Sequence, residues 1–320
     1  MSHFTITIRN YCSSDFDNYI LLHTETEQFD QSVRHISPQT LAEFLGRPNY
    51  CPETDLFVAE ADGKIVGFIS LFPERKIGRA LLDCMVHPRY RRKSVAKKLF
   101  SRALHRAKEM GVKVVQINIP KTNVAAINLV SRLGFQFIRR FLELKLDFYN
   151  IQLPDVKHGV FKIRELRPGE ENKLTEIQNL SFIGTWGYNP NTTEEIIYRI
   201  NMSDCSPEDV IVAHKGDKFV GYCWTTINAE ENVTKRENKG KVHMMGVDPD
   251  YQNRGIGKQI LFAGLAHLVN KSIETVELTA DSENQAALSI YESIGFEVWE
   301  ITLWYEKGIR TAMEKHLVPA

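Results

Sequence analysis

The chain has 320 residues, with 40 Lys and Arg matched by 40 Asp and Glu, and hydrophobic residues make up 43% of it. That length points to two domains, and the composition excludes a disordered or fibrous chain. No apolar run reaches the roughly 18 residues of a membrane span, and MSHFTITIRN lacks a signal-peptide core. Five cysteines without a C-x-x-C pair argue against a disulfide framework or a cysteine zinc site. A cytoplasmic protein with no membrane partner and no metal is expected.

In chain order, the first half predicts strands near 4–9, 56–60, 64–71, 80–86, 113–118 and 135–146, and helices near 14–28, 38–45, 92–110 and 123–133. Phe148–Gly159 has no sustained periodicity and reads as a linker. The second half opens with a strand at Val160–Arg164, then helices at Pro168–Phe182 and Thr193–Met202. Asp209–Ala213 and Phe219–Thr225 flank the turn Lys215-Gly216-Asp217 as a hairpin, and the polar stretch Ile227–Gly240 reads as an inserted hairpin connection. Strand Lys241–Val247, helix Gly255–Asn270, strand Thr275–Ala280, helix Asn284–Ile294 and strand Phe296–Tyr305 complete the chain. This order gives an α/β fold with a mixed sheet, arranged as domains 1–150 and 160–320.

The two halves repeat. Val86-His-Pro-Arg-Tyr-Arg91 matches Val247-Asp-Pro-Asp-Tyr-Gln252, Asn123 matches Asn284, and Gly134-Phe135 matches Gly295-Phe296, all at an offset of 161. Upstream, Val58-Ala59 matches Val212-Ala213 and Val66-Gly67 matches Val220-Gly221 at an offset of 154, so one insertion of 7 residues lies between Gly221 and Val247. A register held over separated landmarks marks a tandem duplication.

After strand 241–247 comes Asp248-Pro249-Asp250-Tyr251-Gln252-Asn253-Arg254-Gly255-Ile256-Gly257-Lys258, opening an apolar helix. Pro249 ends the strand, Gly255 and Gly257 let a ligand approach the backbone, and the first amides of the helix are unpaired at its positive end. Arg254 and Lys258 add charge suited to phosphate. The spacing is neither that of a Walker loop nor that of a dinucleotide-binding glycine loop.

Val247-x-Pro249-x-x-Gln252-x-x-Gly255-x-Gly257 resembles the acetyl-CoA pyrophosphate loop of the GNAT N-acetyltransferase superfamily, and Asn284-x-x-Ala287-x-x-x-Tyr291-x-x-x-Gly295-Phe296 resembles its second signature. The likeness covers residues 160–306 and, less cleanly, 4–146, and the tandem arrangement is similar to the mycothiol synthase branch. The resemblance implies two tandem GNAT folds with acetyl-CoA as co-substrate and an amine as acceptor. On this reading Met245, Val247, Gln252, Asn253, Arg254, Gly255, Ile256, Gly257, Lys258, Asn284 and Ala287 hold the co-substrate, and backbone amides near Met245–Val247 face the oxyanion. Tyr291 hydrogen-bonds the departing thiolate; full proton transfer from a phenol near 10 to a thiol near 8.5 is uphill by roughly 2 kcal/mol in water. The general base is open. Relatives carry a glutamate where this chain has Lys241; His243 lies two residues on, and Glu230 and Glu231 are further candidates.

The first copy departs at these places: Ser94 stands for Gly255, Ala96 for Gly257 and Val130 for Tyr291. A catalytically degenerate first domain is expected. Its basic run, Arg89 to Lys108, fits a CoA phosphate, nucleic acid or a solvated docking face. Residues 1–150 carry 22 basic and 15 acidic side chains, a net +7, and residues 151–320 carry 18 and 25, a net −7, which suits docking of the two domains. Ser181–Pro190 is a candidate pocket wall for a small-molecule amine. The alternatives are acetylation of a protein or peptide N-terminus and a non-catalytic acyl-CoA-binding regulator.

Overall fold

The computed structural model describes residues 5–29, 35–151, 153–154 and 161–309. Of the expected linker, 152 and 155–159 lie outside the described residues, as do position 4 of the first strand and Val160 of the second half's opening strand. The chain forms two compact units: unit 1 runs up to Arg139 and resumes at Thr302, and unit 2 is Arg140–Ile301.

The first repeat contains β1 (Thr7–Asn10), α1 (Phe16–Phe29), α2 (Pro38–Leu45), α3 (Pro52–Asp55), β2 (Leu56–Ala61), β3 (Lys64–Glu74), β4 (Arg79–Val86), α4 (Val95–Glu109), β5 (Val114–Pro120), α5 (Val124–Arg132) and β6 (Gln136–Asp147). The second contains β7 (Lys162–Glu165), α6 (Glu171–Phe182), α7 (Thr193–Ile200), β8 (Val210–Lys215), β9 (Lys218–Thr226), α8 (Ala229–Lys235), β10 (Lys239–Val247), α9 (Ile256–Asn270), β11 (Thr275–Asp281), α10 (Gln285–Ile294) and β12 (Glu297–Gly308). The insert Ile227–Gly240 differs from its expected form. It holds helix α8, because the Asn228 side chain accepts from the Glu231 amide and Glu230 and Glu231 sit at the positive end of the first turn. The expected helix at Pro168 starts at Glu171, since Arg167 to Glu170 form a turn braced by the Glu170 carboxylate.

The sheets are mixed, with antiparallel pairs except for β4 with β5 and β10 with β11. Strand alternation feeds two cores per unit. In β2, Phe57 and Ala59 join the α4 and α5 side with Leu99, Phe100 and Val115. Leu56 and Val58 join the α1 and α2 side with Leu22, Leu41 and Phe68. Unit 2 repeats this: Ile211 and Ala213 meet Ile260, Leu265 and Val276, while Val210 and Val212 meet Leu174, Ile196 and Trp224.

The last strand of each repeat completes the other repeat's sheet. Phe141–Asp147 of β6 pairs antiparallel with β11, and Thr302–Gly308 of β12 pairs antiparallel with β5. The pairs Phe141 with Asp281 and Pro120 with Thr302 are related by the same offset of 161. The exchange is therefore reciprocal, residue for residue.

Two sequence landmarks have a plain structural cause. Asn123 and Asn284 cap α5 and α10, accepting from the Ala126 amide at 3.1 Å and the Ala287 amide at 3.2 Å. Gly134 and Gly295 end those helices in the left-handed region, and the Phe135 and Phe296 amides bond back to the Val130 and Tyr291 carbonyls.

Candidate active site

The site in unit 2 begins where two parallel strands part. β10 pairs with β11 only from Lys239 to Val242, matched to Thr275 to Leu278. Beyond Val242 the β11 side of β10 carries no ladder, while Met244–Val247 stay paired with β9. The register against β9 shifts between Val242 and Met244, so His243 is a bulge residue at the mouth of the gap. Met245 and Val247, expected to hold the co-substrate and to bound the oxyanion amides, lie on this parted segment. Gly246 there admits helix α6: a Cβ on it would meet the Ser181 Cβ at 2.6 Å and the Tyr222 ring at 2.9 Å.

The strand then turns through Pro249–Tyr251, with the Asp248 carboxylate accepting from the Asp250 amide at 2.9 Å and pairing with Lys218 at 2.7 Å. Gln252 donates its side-chain amide to the Val247 carbonyl at 3.3 Å, which folds the loop back onto the strand end. Asn253 (φ 58°) and Gly255 (φ 77°) are left-handed, and a Cβ at Gly255 would meet nothing within 4 Å. Two left-handed residues so close together, after the extended Gln252, bend the loop into a concave anion seat at the start of α9. The amides of Asn253 to Lys258 make no hydrogen bond with described residues. Arg254 and Lys258 are exposed beside it; Lys258 reaches the Ser293 hydroxyl at 3.2 Å. The residues present fit the diphosphate of a coenzyme A donor.

Helix α10 closes the same side. Gly257 approaches both α10 and β10, since a Cβ there would lie 3.6 Å from Ile290 and 3.8 Å from Val247. Ala287 packs against this core, and Asn284 is at the helix start. Tyr291 is 7% exposed, edge-on to Phe296 at 5.7 Å between ring centres. Burial, with a smaller contribution from Cys223, pushes its phenol well above the usual value. No described residue hydrogen-bonds its hydroxyl.

His243 lies on the opposite face, edge-on to Trp224 at 5.3 Å, in the layer covered by α6 and α7. Desolvation, then the charges of Arg199 and Lys241, hold its imidazole well below the usual range, so it is neutral at pH 7. Arg199 escaped the sequence reading. It comes from α7, forms a two-pronged bond with Asp204 at 2.6 and 3.0 Å, and lies over Trp224 at 5.9 Å. Only folding brings α7 to β10, so no local signal marks it. Glu231 forms an ion pair with Lys235 on α8, and Ser181, at the end of α6, donates to the Ile177 carbonyl. Tyr291 and His243 thus flank the gap from the two faces of the sheet.

The parted parallel strands and the anion seat at the mouth of α9 lie at one end of the sheet of unit 2. The acetyltransferase (GNAT) family model matches residues 19–135 and again 172–296. The chain belongs to this family and is an acyltransferase with two GNAT folds. It is 26% identical over 283 residues to a mycothiol acetyltransferase of Thermobispora bispora, covering 86% of this chain and 90% of the relative. It is 28% identical over 284 residues to a mycothiol acetyltransferase of Mycolicibacterium smegmatis, covering 85% and 89%. A GCN5-related N-acetyltransferase from Sphaerobacter thermophilus superposes with a TM-score of 0.73 at 20% identity, covering 95% of this chain and 96% of that one. A tandem GNAT protein from the clavulanic acid biosynthesis pathway superposes at 0.71 with 14% identity, covering 96% and 100%. No helix among the described residues is long and apolar enough to cross a membrane.

Proposed function

We propose that unit 2 transfers the acetyl group of acetyl-CoA to the primary amine of a small molecule by direct attack. The observation that carries this is the parted β10 and β11, with an anion seat at one end and Tyr291 and His243 on either face. The amine nitrogen attacks the thioester carbonyl carbon, and its proton leaves to His243, directly or through water. A neutral imidazole is free to accept, although desolvation makes it a weak base, which favours proton loss late in the attack. Backbone amides at Met245–Val247 receive the oxyanion. The carbon–sulfur bond then breaks, and the Tyr291 hydroxyl bonds the departing sulfur. Its raised pKa keeps it a neutral donor, with proton transfer completed only as sulfur charge develops. The diphosphate is held by Gln252, Asn253, Arg254, Gly255, Ile256, Gly257 and Lys258, with Asn284 and Ala287 shaping the α10 side. The mycothiol acetyltransferase relatives support a small-molecule acceptor.

Release of free thiol from acetyl-CoA, measured across panels of small amines and of peptides with free N-termini, tests this reading. Turnover with small amines supports it. Turnover confined to peptides selects the N-terminal acetyltransferase alternative, and acetyl-CoA binding without turnover selects the regulator.

A further inference from the structure

Unit 1 holds a pocket of about 90 Å³ on the α1 and α2 side of its sheet, away from the loop of Ser94. An engineered cavity of about 150 Å³ takes benzene, so this one encloses about four heavy atoms or the end of a longer molecule. Its floor is strand. Asp83 of β4 stands opposite Ser70 of β3, and the Ser70 hydroxyl is held by Tyr50 at 2.5 Å. Asp83 makes no ion pair with any described residue. Asp83 is an exposed residue of the lining; desolvation raises its pKa, and Arg47 and then the Cys84 amide oppose the rise.

Arg47 lines the same pocket. Its guanidinium lies 3.8 Å from the centre of the Phe72 ring, and its Nε donates to the Phe44 carbonyl at 3.0 Å. His23 forms part of the wall; it is 5% exposed and neither ring nitrogen has a hydrogen-bond partner. Burial depresses it to about 4, so at pH 7 it offers one donor and one acceptor. An orphaned buried imidazole inside a cavity is a group awaiting a polar partner. One carboxylate and one guanidinium face the same small space without closing on each other.

We propose that this pocket binds a small zwitterion of the amino-acid class, its ammonium on Asp83, its carboxylate on Arg47 and a polar edge toward His23. The site stands apart from the acetyl-transfer reading of unit 2 and needs no turnover. Glycine and β-alanine are the probes, with ethylamine and propionate as singly charged controls, titrated into the full chain by isothermal calorimetry and saturation-transfer NMR. Saturable millimolar binding of either probe is expected, with each control at least tenfold weaker. Asp83→Asn and, independently, Arg47→Gln should each weaken the probe at least tenfold, with circular dichroism unchanged for at least one of the two. Absence of saturable binding, a control binding as well as the zwitterion, or binding unchanged in a folded variant overturns the proposal.

Discussion

The loops at Ser94 and at Gly255 share a backbone and differ in what it presents. Arg92 and Ser94 adopt φ of 62° and 61°, as Asn253 and Gly255 adopt 58° and 77°. The residue that clasps the strand end is also kept: Arg91 donates to the Val86 carbonyl as Gln252 donates to Val247. The strands of unit 1 part at the same place, because β4 pairs with β5 only through Leu81. Ser94 therefore occupies a left-handed conformation at a cost of roughly 1–2 kcal/mol, and it points a side chain where Gly255 leaves open space. Ala96 is no obstacle, since even at Gly257 a Cβ finds ordinary contacts. What separates the units is chemistry. Val130 is sealed in the core at 1% exposure where unit 2 has Tyr291, and the strand β4 has no bulge where β10 has His243.

Tyr291→Phe tests that difference most severely. The ring stays packed on Phe296, so folding should change little, while kcat with a true acceptor should fall about 10²–10⁴-fold. The Michaelis constant for acetyl-CoA should move less than about tenfold, because the hydroxyl matters most once charge gathers on sulfur. An acyl donor with a better leaving group should recover much of the rate. Near wild-type turnover would reduce Tyr291 to a packing residue and erase the main chemical contrast with Val130.

Gly255→Glu against Ser94→Glu comes next. A Cβ at Gly255 meets nothing within 4 Å, so the harm comes from a carboxylate in an anion seat and from a positive φ. Like charges forced together cost several kcal/mol, about two powers of ten or more in acetyl-CoA affinity by calorimetry. Ser94→Glu should leave turnover within about twofold. If Ser94→Glu removes turnover from a folded protein, unit 1 is no silent copy.

The order and type of most elements were legible because the strands feed apolar residues to both faces and helices such as α2, α5, α7 and α10 open on a capping Ser, Asn or Thr. The repeat was legible for a simpler reason. Its landmarks at Asn123, Asn284, Gly134 and Gly295 are helix caps, which a short local motif encodes. The strand exchange was not legible: Phe141–Asp147 alternates identically whichever neighbour it joins. Helix α8 was hidden by its polar composition, although Asn228 followed by Glu230 and Glu231 is a start signal. Of the site, the loop and Tyr291 stood out as contiguous motifs. Arg199 beside His243 and the pocket at Asp83 depend on helices packing across the sheet, and nothing near them in the chain announces it.

The units also share a charged staple from first strand to first helix. Arg9 grips Asp15 at 2.6 and 2.8 Å, and Arg164 grips Glu170 at 2.7 and 2.7 Å. The hydrogen bonds from Arg9 bring Asp15 from 3.8 to about 2, and Arg164 likewise lowers Glu170. A depressed carboxylate stabilises the fold above its unfolded pKa near 4, and that stability drains as pH falls toward the folded value. For Asp15 this amounts to about 1–2 kcal/mol after allowing for screening at the partly exposed Arg9. Denaturant melts between pH 6 and 2 should show Asp15→Asn and Glu170→Gln each flattening the acid limb. A limb unchanged in both would show that neither staple contributes.

The smallest effect is the most discriminating for Asn284. Asn123 and Asn284 make the same cap bond at the same point of the repeat, so removing either side chain removes one satisfied amide from a helix start. Replacement by alanine should cost about 1 kcal/mol each, a loss of roughly 2–4 °C in Tm for units of this size. If capping is the whole role of both, the two variants lose similar stability and acetyl-CoA affinity is unmoved. If Asn284 also serves the co-substrate, as its place beside Ala287 and above Tyr291 implies, Asn284→Ala alone should raise the Michaelis constant for acetyl-CoA severalfold at a temperature well below melting. Asn284→Asp separates the two roles. Aspartate caps a helix as well as asparagine, so stability should hold, whereas its negative charge beside a phosphorylated co-substrate should weaken binding further. Restored stability with restored affinity would leave Asn284 a cap and nothing more.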